Sequence, residues 1–315
     1  MKVTLSLLLA AASLPVLAEV KFTKEEGKIA VEIDGKPFTT LYFGPETPKP
    51  YLHPLRSPSG KSVTRHFPME EKAGEARDHP HHRGLWFTHG DVNGYDFWAN
   101  ERDRRPTAGL KRGNIALKKL GTVKGGGKQG SIEATFEWQE TDGKPILTEH
   151  RVMTFHSDPK LRILDFDVRF TGIEKAKFGD TKEGTFALRM AAELDGKHSG
   201  KLTNAEGKVG EKLVWGKPSP WVDYWGQLEG ETLGVTIMDH PSNPKHPTFW
   251  HSREYGLHAA NIFGEHDFFN DKTRDGSLTL EPGKTWRFRY RVVIHPGNPD
   301  EAGIAALYDK FKSMK

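Results

Sequence analysis

The chain has 315 residues, no cysteine, and 46 Lys and Arg against 42 Asp and Glu. Without thiols it has no disulfides, no thiolate nucleophile and no cysteine-held zinc. A formal charge of +4, with no basic arm and no nucleic-acid motif, argues against a polyanion partner.

The chain opens MKVTLSLLLAAASLPVLAEV. Lys2 supplies a positive start, Val3 to Ala12 an apolar run, and Val16-Leu17-Ala18 a small-residue cleavage site. Residues 1–18 therefore read as a secretory signal peptide, and residues 19–315 as one domain that is periplasmic or secreted. No later stretch reaches 18 apolar residues, so no membrane-spanning helix is expected after cleavage.

Alternation follows. Gly27–Phe43 reads as a hairpin turning at Asp34-Gly35, and Ser131–Phe155 as a longer one turning at Asp142-Gly143. Lys124–Gly130 is a flexible tip between strands. In Leu161–Phe170, Leu164, Phe166, Val168 and Phe170 face one way while Asp165, Asp167 and Arg169 face the other. Thr285–Ile294 repeats the pattern. A period of two with one polar face means half-buried antiparallel strands. One helix is expected, at the C-terminus, where Asn298-Pro299-Asp300-Glu301 gives a cap, a Pro at N1 and a Glu at N3. Strands without alternating helices predict an all-β fold, a large antiparallel sandwich or supersandwich with a C-terminal helix.

Four polar and aromatic windows interrupt the strands. "PYLHPLRSPSGKSVTRHFP" carries His53, Arg56, Arg65 and His66. "RDHPHHRGLWFTHGDVNGYDFW" carries Asp78, His79, His81, His82, Arg83, Trp86, His89, Asp91 and Trp98. "WVDYWG" carries Trp221 and Trp225. "DHPSNPKHPTFWHSREYGLHAANIFG" carries Asp239, His240, Trp250, His251, Tyr255 and Asn261. Pro80, Pro241, Pro244 and Pro247 argue against central strands in the second and fourth, so the windows read as loops and strand ends, where sites usually sit.

Three chemistries fit. His79 and His81 have the H-x-H spacing that puts two imidazoles on one side of an extended segment. With His89, or Asp78 or His53, they could hold a divalent metal ion, unless they simply bond one another. Alternatively His81 or His82 exchanges protons near neutral pH while Arg83 steadies a developing oxyanion. Glu149, mid-strand among apolar neighbours, is either an acid–base carboxylate or the partner of Arg151 on a solvated face. Trp86, Trp98 and Trp250 beside Arg56, Arg65, His53, His66, Asp91, Asp239, His240, His251 and Asn261 suit a sugar, whose C–H face packs on indole while its hydroxyls take the polar groups.

At the first, second and fourth windows, and above all at "DHPHHRG", the chain resembles a PmoA-like family of exported bacterial proteins named after a methane oxygenase subunit. The resemblance implies a galactose-mutarotase-like supersandwich and a carbohydrate substrate. Together these readings predict a carbohydrate-active enzyme that cleaves a glycosidic C–O bond, by hydrolysis or by elimination from a keto-sugar. A sugar epimerase or mutarotase, or a non-catalytic glycan-binding module, are the alternatives.

Overall fold

The computed structural model describes residues 19–315; the expected signal peptide lies outside them. In chain order the first strands are β1 (Val20–Glu25), β2 (Lys28–Ile33), β3 (Lys36–Tyr42), β4 (Tyr51–His53), β5 (Leu85–His89), β6 (Tyr95–Asp96) and β7 (Lys111–Arg112). Next come β8 (Asn114–Lys124), β9 (Gln129–Gln139), β10 (Pro145–His156), β11 (Arg162–Gly172), β12 (Ala176–Phe178), β13 (Gly184–Arg189) and β14 (Lys201–Asn204). The last are β15 (Trp221–Leu228), β16 (Glu231–Asp239), β17 (Phe249–Trp250), β18 (Leu257–Asn261), β19 (Leu278–Leu280) and β20 (Thr285–Pro296).

Two antiparallel sheets of eight strands face each other. The first runs β1-β2-β3-β4-β5-β13-β18-β17, the second β14-β15-β16-β20-β11-β10-β9-β8. Alternation decides what each face does. In β5, Leu85 and Phe87 enter the core, where Phe87 meets Phe170, Phe288 and Tyr290 of the second sheet. Trp86 and Thr88 must then point to the outer face of the first sheet. In β13, Phe186 and Leu188 go inward, which leaves Ala187 and Arg189 outward. A separate outer cluster gathers Tyr51, Trp86, Trp98, Ala187, Leu257 and Ala259. The loops from Phe67 to Arg83 and from Trp98 to Arg105 lie outside the eight-stranded sheets and supply its cover.

The turns form as the sequence demands. Asp34 and Gly35 both have positive φ (54° and 73°), the geometry of the tightest hairpin turn. The Lys124–Gly130 tip is anchored rather than free, because Gly126 and Val20 exchange backbone hydrogen bonds of 2.8 and 3.1 Å. The capping box at the C-terminus forms: Asn298 Oδ1 accepts from Asp300 N and Glu301 N, and Glu301 Oε2 accepts from Asn298 N. The helix itself starts later, at Ile304, since Gly303 is left-handed (φ 66°). It packs Ile304, Tyr308 and Phe311 on Trp221, Met238 and Val293, covering part of the outer face of the second sheet. Two single-turn helices, Glu211–Val214 and Glu265–Phe268, are too short to leave a period in the sequence. Among the described residues no helix is long and apolar enough to cross a membrane.

Candidate functional site

The outer face of the first sheet holds a column of four aromatic rings. Tyr255 stacks on His79 (centroids 5.3 Å, 3° between planes) and His79 on His82 (4.7 Å, 9°). His82 then stacks on Trp86 (5.2 Å, 20°). Trp98 and His81 meet this column edge-on, Trp98 against Trp86 at 5.1 Å and His81 against His82 at 4.5 Å. Trp86 comes from β5, the three histidines from the loop before it, Trp98 from the loop after β6, and Tyr255 from the turn before β18.

Asp78 organises the column. It accepts from Arg65 Nη1 (2.6 Å), from Arg189 Nη2 (3.0 and 3.2 Å) and pairs with His79 Nδ1 (2.6 Å). Burial pushes its carboxyl up, but the His79 bond and the charges of Arg189 and Arg65 overcome this and hold it below the usual carboxylate range. Ionised Asp78 can only accept. His79 therefore donates through Nδ1, which leaves Nε2 as the ring nitrogen open to proton exchange. The His79 side chain is 41% exposed, and its backbone sits at φ 44°, a costly conformation for a side-chain-bearing residue and common where geometry serves function.

Arg189 fixes His82 as well. Its Nη1 lies 3.1 Å from His82 Nδ1, and a guanidinium has only donors. His82 Nδ1 thus accepts, which puts the proton on Nε2. Burial, then the charges of His81 and Arg189, lower His82 well below the ordinary imidazole value, so it stays neutral and presents an N–H. Burial, with Lys49 and His79 next, takes His81 down to about 2. Burial takes His53 to about 3.

Several buried polar atoms on this face have no hydrogen-bond partner among the described residues: His82 Nε2, Trp86 Nε1, Trp98 Nε1, Thr88 Oγ1 and both ring nitrogens of His53. A buried donor without a partner costs about 1–3 kcal/mol. A cluster of them on one face marks a place where a ligand's acceptors would recover that energy. The indoles offer edges only. Trp86 and Trp98 are 0% and 1% exposed, so neither is a platform for a sugar ring; each N–H is buried and unpartnered among the described residues.

The buried imidazoles set a pH dependence. His53 and His251 sit near 3, His81 near 2, and His82 well below its ordinary value, burial being the first cause for each. Unfolded, each titrates near 6.5, so the unfolded chain binds more protons between these values. Their contribution is complete above about pH 6.5 and is lost as pH falls toward 3, at about 1.4 kcal/mol per pH unit per proton. His295 opposes them: burial pulls it down, but the Asp223 bond raises it. Burial raises Glu183 and Asp239, which act with His295, while it lowers His89, His240 and His258 beside the four, so seven lowered imidazoles against three raised groups leave the sign unchanged. Thermal unfolding scans should show a nearly constant midpoint above pH 7 and a steep fall below pH 6; a midpoint that rises on acidification contradicts these neutral assignments.

Other sequence-based candidates lie elsewhere or are already engaged. His89 points into the core, its Nε2 donating to Gly179 O at 2.8 Å, between Phe178 and Phe263. It alternates with Trp86 along the strand, so it cannot join His79 and His81 on a metal. No group of three His, Asp or Glu able to hold a metal ion occurs among the described residues. Glu149 is buried between the sheets. It accepts from Arg151 Nε (2.6 Å) and Trp138 Nε1 (2.8 Å), with Arg151 over Phe136 and Phe166. The pairing expected on a solvated face thus sits on the core face, remote from the column. Arg83 is held bidentate on Glu101 through Nε and Nη2 (3.0 and 2.5 Å), and its position over the Tyr51 ring fixes it further.

The fourth window is divided. Trp250 packs in the core and donates to Ser219 O at 2.9 Å. Asp239 holds Asn243, His246 and the Thr248 N–H. His240 lies beside Arg289 and the carbonyl of Met314. Asn261 braces the carbonyls of Thr181 and Lys182. These four act locally. His251 accepts from Trp215 Nε1 at 2.9 Å, and Tyr255 completes the column. Asp91 caps its own turn through Gly94 N. In the first window Arg65 ties down the covering loop through the carbonyls of Phe67, Ala76 and His79. His66 pairs with Glu75 at 2.9 Å. The third window, expected as a loop or strand end, is instead the body of β15 in the second sheet, with Trp221 under the C-terminal helix.

Sequence reading missed Arg189 and Lys49. Arg189 carried a signal, since alternation with Phe186 and Leu188 places it outward. Lys49 carried none. It is fully buried, donates to Trp98 O (2.5 Å) and Asn100 Oδ1 (3.0 Å), and burial lowers it to about 8 against the pull of Glu101.

Comparison with solved structures finds distant likenesses. An α-galactosidase of Geobacillus stearothermophilus, solved with 1-deoxygalactonojirimycin, is 11% identical (TM-score 0.41) over 89% of this chain and 40% of that one. A galactose mutarotase-like protein of Lactobacillus casei is 9% identical (TM-score 0.40) over 88% of this chain and 100% of that one. The heparan sulfate lyase HepC of Pedobacter heparinus is 9% identical (TM-score 0.40) over 90% of this chain and 36% of that one. The chain thus spans about two fifths of the α-galactosidase chain. Comparison with curated protein sequences finds no match. Residues 28–309 match DUF6807, a family of unknown function, and the chain belongs to that family. Its description carries neither the methane oxygenase label nor an activity.

Proposed function

We propose that this protein is an exported carbohydrate-active enzyme that breaks a glycosidic C–O bond by elimination from a keto-sugar. The observation that carries this reading is the Asp78–His79 pair set beside the unpartnered N–H groups of His82, Trp86 and Trp98. The signal-peptide pattern of residues 1–18 supports export.

Chemistry follows from the donors and acceptors. Nε2 of His79 takes a proton from the carbon between a ring ketone and the glycosidic carbon. The electron pair passes to the ketone oxygen, where neutral N–H donors in a water-poor site hold the enolate. The enolate collapses, the ketone re-forms, a C=C bond appears, and the glycosidic oxygen leaves. That oxygen takes a proton from Tyr255, whose ring lies on His79 and which burial raises to about 12, so it remains a phenol. Hydrolysis ordinarily uses two carboxyl groups acting across one bond. Here Asp78 is bound by two arginines and His79, Glu101 by Arg83, and Glu75 by His66.

Incubation of purified protein with glycosides and the matching keto-glycosides tests this. The expected result is alcohol release from the keto-glycosides alone, with an enone absorbance appearing in step. Release from unoxidised glycosides at a similar rate, or isomerisation without release, counts against elimination.

A further inference from the structure

A groove next to the aromatic column has a chemistry that the elimination does not use. It measures about 470 Å³ and is lined by Arg56, Lys61, His66 and Lys72, with Ser59, Ser62 and one acidic residue, Glu229, whose backbone carbonyl accepts from Lys61 Nζ at 2.7 Å. Three of the four basic groups are held in place. Lys61 pairs with Glu231 (2.8 Å), Lys72 with Glu193 (2.6 Å), and His66 Nδ1 with Glu75 (2.9 Å). Arg56 differs. Its backbone donates to Phe38 O (3.1 Å) and bridges Ser62, while its guanidinium has no partner among the described residues. Five N–H donors on a half-buried side chain are left for water or a ligand.

The groove connects with the column through His53. That ring meets His66 edge-on at 6.4 Å, and Gly84, two residues after His82, packs directly against His53. His53 has both ring nitrogens buried and unpartnered among the described residues.

We infer that this groove is an anionic subsite, taking a sulfate or carboxylate group carried by the saccharide whose reacting ring lies at the column. The inference rests on the carbohydrate reading for its ligand, and on Arg56 for its charge. A planar guanidinium pairs two parallel N–H groups with either oxyanion, and the lysines, each already paired with a glutamate, do not compete for its fork.

Binding measured by calorimetry at low salt separates the two ideas, with glucose, glucose 6-sulfate, glucuronate and inorganic sulfate as probes. Both charged sugars should bind about tenfold more tightly than glucose. Arg56→Gln should abolish that difference, Arg56→Lys should keep part of it, and His79→Gln should leave it intact. Equal affinity for glucose and the charged sugars, or an anion preference that survives Arg56→Gln, overturns the subsite. Inorganic sulfate bound through Arg56 while no sugar binds would keep the anion site and remove the carbohydrate reading instead.

Discussion

Replacing His79 with glutamine is expected to slow keto-glycoside turnover by roughly 10²–10⁴-fold, the range for removal of a general base. Glutamine can still donate to Asp78, so the loop should keep its place, and saturating substrate concentration and unfolding midpoint should both stay near wild type. His82→Phe keeps a ring in the column but deletes the Nε2–H. Its expected cost is about 10²–10³ in turnover, as for loss of one oxyanion donor. Asp78→Asn should damage both activity and stability, because Arg65 and Arg189 share that carboxylate. Steady-state kinetics on the three variants, read beside denaturant unfolding, gives the pattern. Unimpaired turnover in His79→Gln would remove His79 from the reaction.

The second large effect concerns stability. Arg151→Met should cost about 3–5 kcal/mol, because it strands the Glu149 carboxylate in the core with only Trp138 Nε1 as a donor. Glu149 and Arg151 are 0% and 1% exposed, so solvent cannot relieve either charge. Replacing both, as Glu149→Leu with Arg151→Met, should recover most of the loss, since an apolar pair of similar volume avoids burying charge at all. Turnover per folded molecule should remain that of the wild type in each. Urea unfolding and kinetics on the same preparations check this. A Glu149→Gln variant that stays stable yet loses its chemistry would return Glu149 to the catalytic role that its strand position suggested.

How legible the molecule was in its sequence depends on which question is asked. Hairpins, half-buried strands and the C-terminal helix could be read because each leaves a local period: Asp34-Gly35 with positive φ, alternation along Leu161–Phe170, the Asn298–Glu301 box. The site is non-local. The second window announced itself by composition, and His79, His81, His82, Trp86 and Trp98 do assemble. His89 sits in the same window and faces the other way, because a strand reverses side at every residue. Alternation could place Arg189 on the outer face, but not beside His82 and Asp78, which it orients from 107 and 111 residues away. Burial also escaped the sequence. Glu149 and Arg151 read equally well as a solvated pair until the facing sheet was placed over them.

The most direct test of the central claim is proton exchange. In D₂O, the carbon beside the ketone of a keto-glycoside should take up deuterium when the wild-type protein is added, followed by nuclear magnetic resonance, and His79→Gln should reduce that uptake to the uncatalysed rate. Bond cleavage without any deuterium at that carbon, or exchange that continues undiminished in His79→Gln, would contradict proton abstraction at this face of the first sheet.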